Sequence, residues 1–136
     1  MRFMIIVKAT EDSERGVMPT DAQIAEMGEF HEELARAGVL LDASGLQPTS
    51  KGWRVKYSGG VRTVVDGPFS EAKELIAGYT IIEVRSREEA EEWVRRFPNP
   101  GNDDGEIEVR QLFELEDFEP GAGVERFRQL DLPSQR

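Results

Sequence analysis

Val61-Arg62-Thr63-Val64-Val65-Asp66-Gly67-Pro68-Phe69-Ser70-Glu71-Ala72-Lys73-Glu74-Leu75-Ile76-Ala77-Gly78-Tyr79 is the stretch on which the fold turns. Val61 to Val65 alternates as a strand does. Gly67-Pro68 stops it, because proline has no amide hydrogen and cannot continue a ladder. Glu71 to Ile76 is long enough for one or two helical turns. Gly78 to Val84 is then a strand apolar on both faces, with Tyr79 and Ile81 on one and Ile82 and Val84 on the other. Upstream, Trp53-Arg54-Val55-Lys56-Tyr57 alternates strictly, and Ser58-Gly59-Gly60 is a turn that needs positive backbone angles. Trp53 to Val65 is therefore predicted as a β-hairpin.

Outward from this stretch, the chain alternates strands and helices. Phe3 to Val7 is apolar at every position, so both faces of that strand need cover. Thr10 to Pro19 is polar and reads as a loop. Thr20-Asp21-Ala22-Gln23 is a capping-box pattern opening a helix to about Ala37, with Gly38 suited to a left-handed cap. Ile24, Met27, Phe30 and Leu34 share one arc of that helix, and Glu26, Glu29, Glu32, Glu33 and Arg36 share the other. Val39 to Leu46 begins as a strand. Ser86-Arg87-Glu88-Glu89 opens a second amphipathic helix, carrying Ala90, Trp93, Val94 and Phe97 and ended by Pro98. Asn99 to Gly105 reads as a loop. Glu106 to Phe113 alternates, with Ile107, Val109 and Phe113 inward. Residues 1–118 form the expected domain, and 119–136 a tail with a short helix at Val124 to Leu130.

Strand, helix, strand, hairpin, strand, helix, strand is the order of an α+β ferredoxin-like sandwich with an inserted β-hairpin. Helices cover one face of the sheet. The doubly apolar strands predict that a second copy, packed sheet to sheet, covers the other; the alternative cover is the chain's own tail.

Composition narrows the function. The 136 residues suit one domain, and 38% hydrophobic content supports a core. The 27 acidic against 17 basic residues give a net charge of -10, which disfavours a phosphate backbone as partner, so no nucleic acid is expected. With no cysteine, thiolate metal sites, thiol nucleophiles and disulfides are excluded. No apolar run is long enough for a membrane span, and the expected setting is the cytoplasm. One histidine and no phosphate loop, dinucleotide fingerprint or nucleophile elbow leave no metal or cofactor expected.

His31, the single histidine, falls on the buried arc of the first helix. It can serve as acid or base near neutral pH, or as a core histidine held by one hydrogen bond. Asp42 can orient it, or can be a solvated strand end. Asp66 before Gly-Pro can accept backbone hydrogen bonds and fix the turn, so its loss is expected to cost stability. Phe69 is expected to plug the core. The rigid turn can also wall a cleft, with Lys73, Tyr79 and Arg54 as ligand-pocket candidates. Lys51, Arg54, Lys56 and Arg62 make the hairpin locally basic, with no acid between positions 51 and 65. That charge attracts an anionic metabolite or acidic partner, or is a solvated face.

Asp66-Gly67-Pro68-Phe69, followed by Glu71, Lys73-Glu74 and Gly78-Tyr79, resembles the signature of the DGPF proteins of the YCII-related family. The resemblance runs from about Met1 to Phe118. It includes Met4-Ile5-Ile6-Val7, Ala37-Gly38-Val39-Leu40, Gly45-Leu46 with Pro48, the helix ending at Pro98, and Glu108-Val109-Arg110. It implies a dimeric α+β barrel. It also implies one of two functions. Many DGPF members lie beside alternative sigma factors, which implies a small-ligand-binding or regulatory role. One branch resembles cofactor-independent enzymes that use a histidine–aspartate pair, including in dehalogenation of chlorinated aromatics. By that resemblance His31 and Asp42 would be the pair, although His31 lies closer to its following strand than the branch pattern has it.

Overall fold

The computed structural model of the protein describes residues 1–101 and 104–133. Residues 102 and 103, within the Asn99–Gly105 loop, and residues 134–136, at the end of the tail, lie outside them. Among the described residues, six strands and four α-helices follow in chain order: β1 (Arg2–Lys8), α1 (Glu11–Glu14), α2 (Asp21–Arg36), β2 (Leu40–Gly45), β3 (Trp53–Ser58), β4 (Val61–Asp66), β5 (Ile76–Glu83), α3 (Arg87–Arg95), β6 (Ile107–Gln111) and α4 (Ala122–Gln129). Short 3-10 turns occupy Thr49–Lys51, Ala72–Glu74 and Leu115–Asp117. The architecture is α+β with antiparallel sheets. None of the described helices is long and apolar enough to cross a membrane.

The main sheet has the order β2-β5-β1-β6, with every neighbouring pair antiparallel. The two doubly apolar strands, β1 and β5, occupy its centre. They pair from Arg2↔Glu83 to Val7↔Gly78. One face carries Phe3, Ile5, Ile82 and Val84, which pack with Phe30 and Leu34 of α2, Val39, and Ala90 of α3 into the core. Full burial of such side chains stabilises by about 1.5–3 kcal/mol each. Trp93, Val94, Phe97 and Ile107 close its rim. On the opposite face Met4, Ile6 and Ile81 remain half-exposed.

Helix starts follow their caps. Thr20 accepts from the Gln23 amide while the Gln23 side chain reaches back to the Thr20 amide, and Ser86 accepts from the Glu89 amide. The region read as a loop from Thr10 contains α1, a single turn whose Thr10–Ser13 capping box satisfies its first amides.

The β3–β4 ladder runs from Trp53↔Asp66 to Ser58↔Val61 and forms a sheet of its own. The turn after it is built by close backbone approach. The Gly67–Pro68 peptide is cis. The Gly67 amide donates to the Gly52 carbonyl at 2.9 Å, and the Phe69 amide donates to Thr49 Oγ1 at 3.0 Å. Thr49 in turn donates from its amide to Glu14 Oε2 at 3.1 Å and from its hydroxyl to Glu14 Oε1. One threonine therefore joins α1, the 49–51 turn and the 66–69 turn. The Asp66 carboxylate is exposed and takes no part in these bonds. Phe69 does not enter the core. It is half-buried, and the Arg54 guanidinium covers its ring at 3.8 Å. Phe113 also departs from the inward reading: β6 ends two residues earlier, and Phe113 stands 71% exposed against Phe118, with ring centroids 5.0 Å apart.

Candidate functional site

Small residues make the site. On the helix-facing side of the sheet, Ala43 pairs with Thr80 and Gly45 with Gly78. A Cβ on Gly78 would lie 3.0 Å from the Ser44 carbonyl oxygen, so the strands meet there without side chains between them. With no bulk at these positions, space is left between this part of the sheet and α2. A cleft of about 490 Å³ results, bounded by Ile24, Met27 and His31 of α2, by Phe97, Pro98 and Pro100 after α3, and by Thr80 below. A hollow of about 410 Å³ between α3 and β6, lined by Phe3, Val94 and Val109 among others, contains no histidine.

His31 is fixed from both ring nitrogens. Nδ1 is 2.8 Å from the Met27 carbonyl oxygen and Nε2 is 2.8 Å from Thr80 Oγ1. The carbonyl can only accept, so Nδ1 carries a proton. In the neutral imidazole, Nε2 is then the basic nitrogen and accepts from the Thr80 hydroxyl. In the cation the direction of that bond reverses. Phe30 and Phe97 meet the ring edge-on, with centroids 5.8 Å and 6.1 Å away. The result is an oriented base at the wall of a largely apolar cleft.

Asp42 is not beside His31. A register shift in β2 between Leu40 and Asp42 sets Asp42 opposite Ile81, on the sheet face turned away from the helices. Its carboxylate accepts from the Ala43 amide at 2.8 Å and from the Tyr79 hydroxyl at 3.3 Å. The residue on Nε2 is Thr80, which sequence reasoning passed over. The signal was a polar residue in the middle of a doubly apolar strand, where burial demands a hydrogen-bond partner.

The remaining candidates separate. Tyr79 contributes to the cleft and bonds Asp42. Arg54 lies over Phe69, and Lys73 is exposed within the Ala72–Glu74 turn. Neither of these two, nor Asp66, lines the cleft. Among the described residues no group of three or more His, Asp and Glu side chains is placed to hold a metal ion.

The negative charge of Asp42 raises the Tyr79 phenol above its ordinary value, helped by partial burial and by the hydrogen bond itself. A phenol raised on folding favours the native state while it stays protonated, and that contribution disappears as pH climbs through the folded value. In a Tyr57→Phe background, which leaves one tyrosine of the two, ultraviolet titration should place Tyr79 above a free tyrosine. Asp42→Asn should move the titration back down. An unchanged midpoint would mean that the carboxylate is not its cause.

The chain is similar to a known family and to two known proteins. The YCII-related domain matches residues 1–116 of this chain. An uncharacterized protein of Rhizobium meliloti (strain 1021) is 32% identical over 87 residues, covering 64% of this chain and 70% of that protein. Among solved structures, the chain is similar to 5-chloro-2-hydroxyhydroquinone dehydrochlorinase from Burkholderia phenoliruptrix AC1100 in complex with 2,5-dihydroxybenzoquinone. That likeness has a TM-score of 0.47 at 15% identity and covers 83% of this chain and 94% of that one. With its domain match running through all six strands of the fold, the chain belongs to the YCII-related family.

Proposed function

We propose that this protein binds a small molecule in the cleft between α2 and the β2–β5 floor, with His31 as the polar group that orients it. The observation that carries the reading is the cleft itself: about 490 Å³ of mostly apolar wall converging on one histidine whose tautomer is set. The ligand presents a hydroxyl or another donor to Nε2, exchanging with the Thr80 hydroxyl, and an apolar body to Ile24, Met27 and Phe97. In a regulatory role, occupancy of this cleft is the signal, and a sigma-factor partner would read it. The second reading is cofactor-independent acid–base catalysis. It is favoured by the His31–Thr80 contact, which supplies a base and a polar relay, and not by an aspartate.

The subunit is read as ferredoxin-like with an inserted hairpin, supported by the order β2-β5-β1-β6. It is read as a homodimer, supported by the half-exposed Met4, Ile6 and Ile81 on the face that no helix covers.

The test uses NMR with a panel of small phenols, carboxylic acids and neutral alcohols, following the His31 imidazole and Met27 methyl signals. Ala43→Leu, which adds bulk to the floor, should abolish every shift while the melting temperature holds. His31→Ala should weaken the same ligands by about 1–3 kcal/mol, the value of an unpaired buried polar contact. Ligands that bind Ala43→Leu undiminished would place binding elsewhere. If ligands bind but none is turned over, and Thr80→Val changes affinity alone, the catalytic reading is rejected.

A further inference from the structure

The outer edge of β6 is open, and its sequence is complementary to itself. At the two ends of the β1–β6 ladder, the Leu112 amide donates to the Arg2 carbonyl and the Lys8 amide to the Glu106 carbonyl. With the register Ile5↔Val109, the even-numbered residues of β6 therefore bond β1. Ile107, Val109 and Gln111 aim their amides and carbonyls the other way, out of the sheet. β6 ends the strand order, and among the described residues no strand pairs with that side. The opposite edge is guarded. By the same alternation Ala43 of β2 points its amide outward, and the Asp42 carboxylate accepts it at 2.8 Å. An edge of free amides and carbonyls is a template for one more strand.

The helix side of this edge has room. The hollow of about 410 Å³ between α3 and β6 has Phe3, Ala90, Val94 and Val109 on its apolar wall, with Gln111 beside them. Val109 is 37% exposed. The charges at the hollow are balanced within α3, where Arg87 bonds Glu91 at 2.9 Å and Arg95 bonds Glu92 at 2.6 Å.

The strand reads Ile107-Glu108-Val109-Arg110-Gln111. Consider a second β6 laid antiparallel beside it, about a twofold axis through Val109 and perpendicular to the sheet. Val109 meets the partner's Val109, and Ile107 meets the partner's Gln111. These are hydrogen-bonded pairs, and together they give about six backbone bonds. Such an axis keeps like faces together. On the face that no helix covers, Glu108 then stands opposite the partner's Arg110, with Cα atoms about 4.5 Å apart, and the pair occurs twice. Moving the centre to position 108 would set Glu108 against the partner's Glu108. Moving it to position 110 would set Arg110 against the partner's Arg110. Charge therefore selects the register centred on Val109. Within one chain Arg110 lies 3.8 Å from Glu108 with its side chain 72% exposed, so it can turn to the partner.

We propose that the outer edge of β6 is a self-association site, pairing with β6 of a second copy about Val109 and joining two four-stranded sheets into one. The contact uses the edge and not the centre of the uncovered face, so it does not rest on the sheet-to-sheet dimer. Where both contacts form, the assembly exceeds two chains.

The experiment follows amide hydrogen exchange of the wild type by NMR across a concentration series, with sedimentation of charge-reversed variants beside it. Exchange at Ile107, Val109 and Gln111 should slow as concentration rises, while Glu108 and Arg110, already bonded to β1, should change little. Glu108→Arg and Arg110→Glu should each weaken self-association by at least about tenfold, because each sets like charges together twice. An equimolar mixture of the two variants should associate close to the wild-type strength, since every cross-strand pair is then opposite in sign. Misfolding cannot produce that recovery, and the wild-type exchange does not depend on the variants. Association without slowing at the three outward amides would overturn the edge contact and leave the sheet-to-sheet dimer standing. A mixture no tighter than its folded components would overturn the pairing about Val109. A monomer at every concentration would overturn both contacts.

Discussion

Replacing Gly67 by alanine is expected to lower the unfolding free energy by more than about 3 kcal/mol. The added Cβ would lie 1.8 Å from the Thr49 carbonyl oxygen and 2.7 Å from its carbonyl carbon. Both atoms are backbone, so no side chain can swing aside. Relief requires the 49–52 and 66–69 turns to separate, which breaks the Gly67–Gly52 and Phe69–Thr49 hydrogen bonds. Asp66→Ala, one residue earlier, is expected to stay within about 0.5 kcal/mol, because the carboxylate is exposed and the turn is held by other groups. Urea unfolding of the two variants checks the contrast. A severe Asp66→Ala beside a mild Gly67→Ala would return the turn to the aspartate.

Phe30→Ala is the second large effect, with an expected loss of about 3–5 kcal/mol. Phe30 is buried in the core, and its ring meets Phe97 edge-on at 5.3 Å and Trp93 at 6.3 Å. Removing it leaves a void between α2 and α3 and frees one side of the His31 ring. Stability and ligand affinity should therefore fall together, whereas His31→Ala should reduce affinity with a smaller change in stability. Chemical denaturation alongside the NMR titration separates the two. A Phe30→Ala protein that keeps full affinity would mean that the helix–helix packing does not position the histidine.

The parts of the fold legible in the sequence were those set by local patterning. Double-sided apolar runs marked β1 and β5 as central, capping boxes located α2 and α3, and strict alternation marked the hairpin. What escaped depended on three-dimensional approach. The shift at Leu40/Asp42 carries Asp42 to the other sheet face, and nothing in a run of residue types announces it. Phe69 and Phe113 stand free of the core; the sequence points both inward, Phe69 as an aromatic beside a turn and Phe113 by the alternation from Glu106. Phe69 is instead claimed by Arg54, and Phe113 falls past the last ladder pair. Of the site, His31 was visible and Thr80 was not. The small floor at Ala43, Gly45 and Gly78 became meaningful only once β2 and β5 were known to be neighbours.

The position of β1 has a consequence for synthesis on the ribosome. Its ladder partners are β5 and β6, so Arg2 waits for Glu83 and Phe3 for Gln111. At translation rates of about 5–20 residues per second, the most apolar segment of the chain emerges several seconds before any strand can pair with it. The hairpin, whose partners are nearest neighbours in sequence, can close in that interval, but it cannot nucleate the main sheet. Nascent chains cut off before residue 76 should therefore expose an unpaired apolar strand and recruit chaperones, and chains that extend past residue 111 should release them.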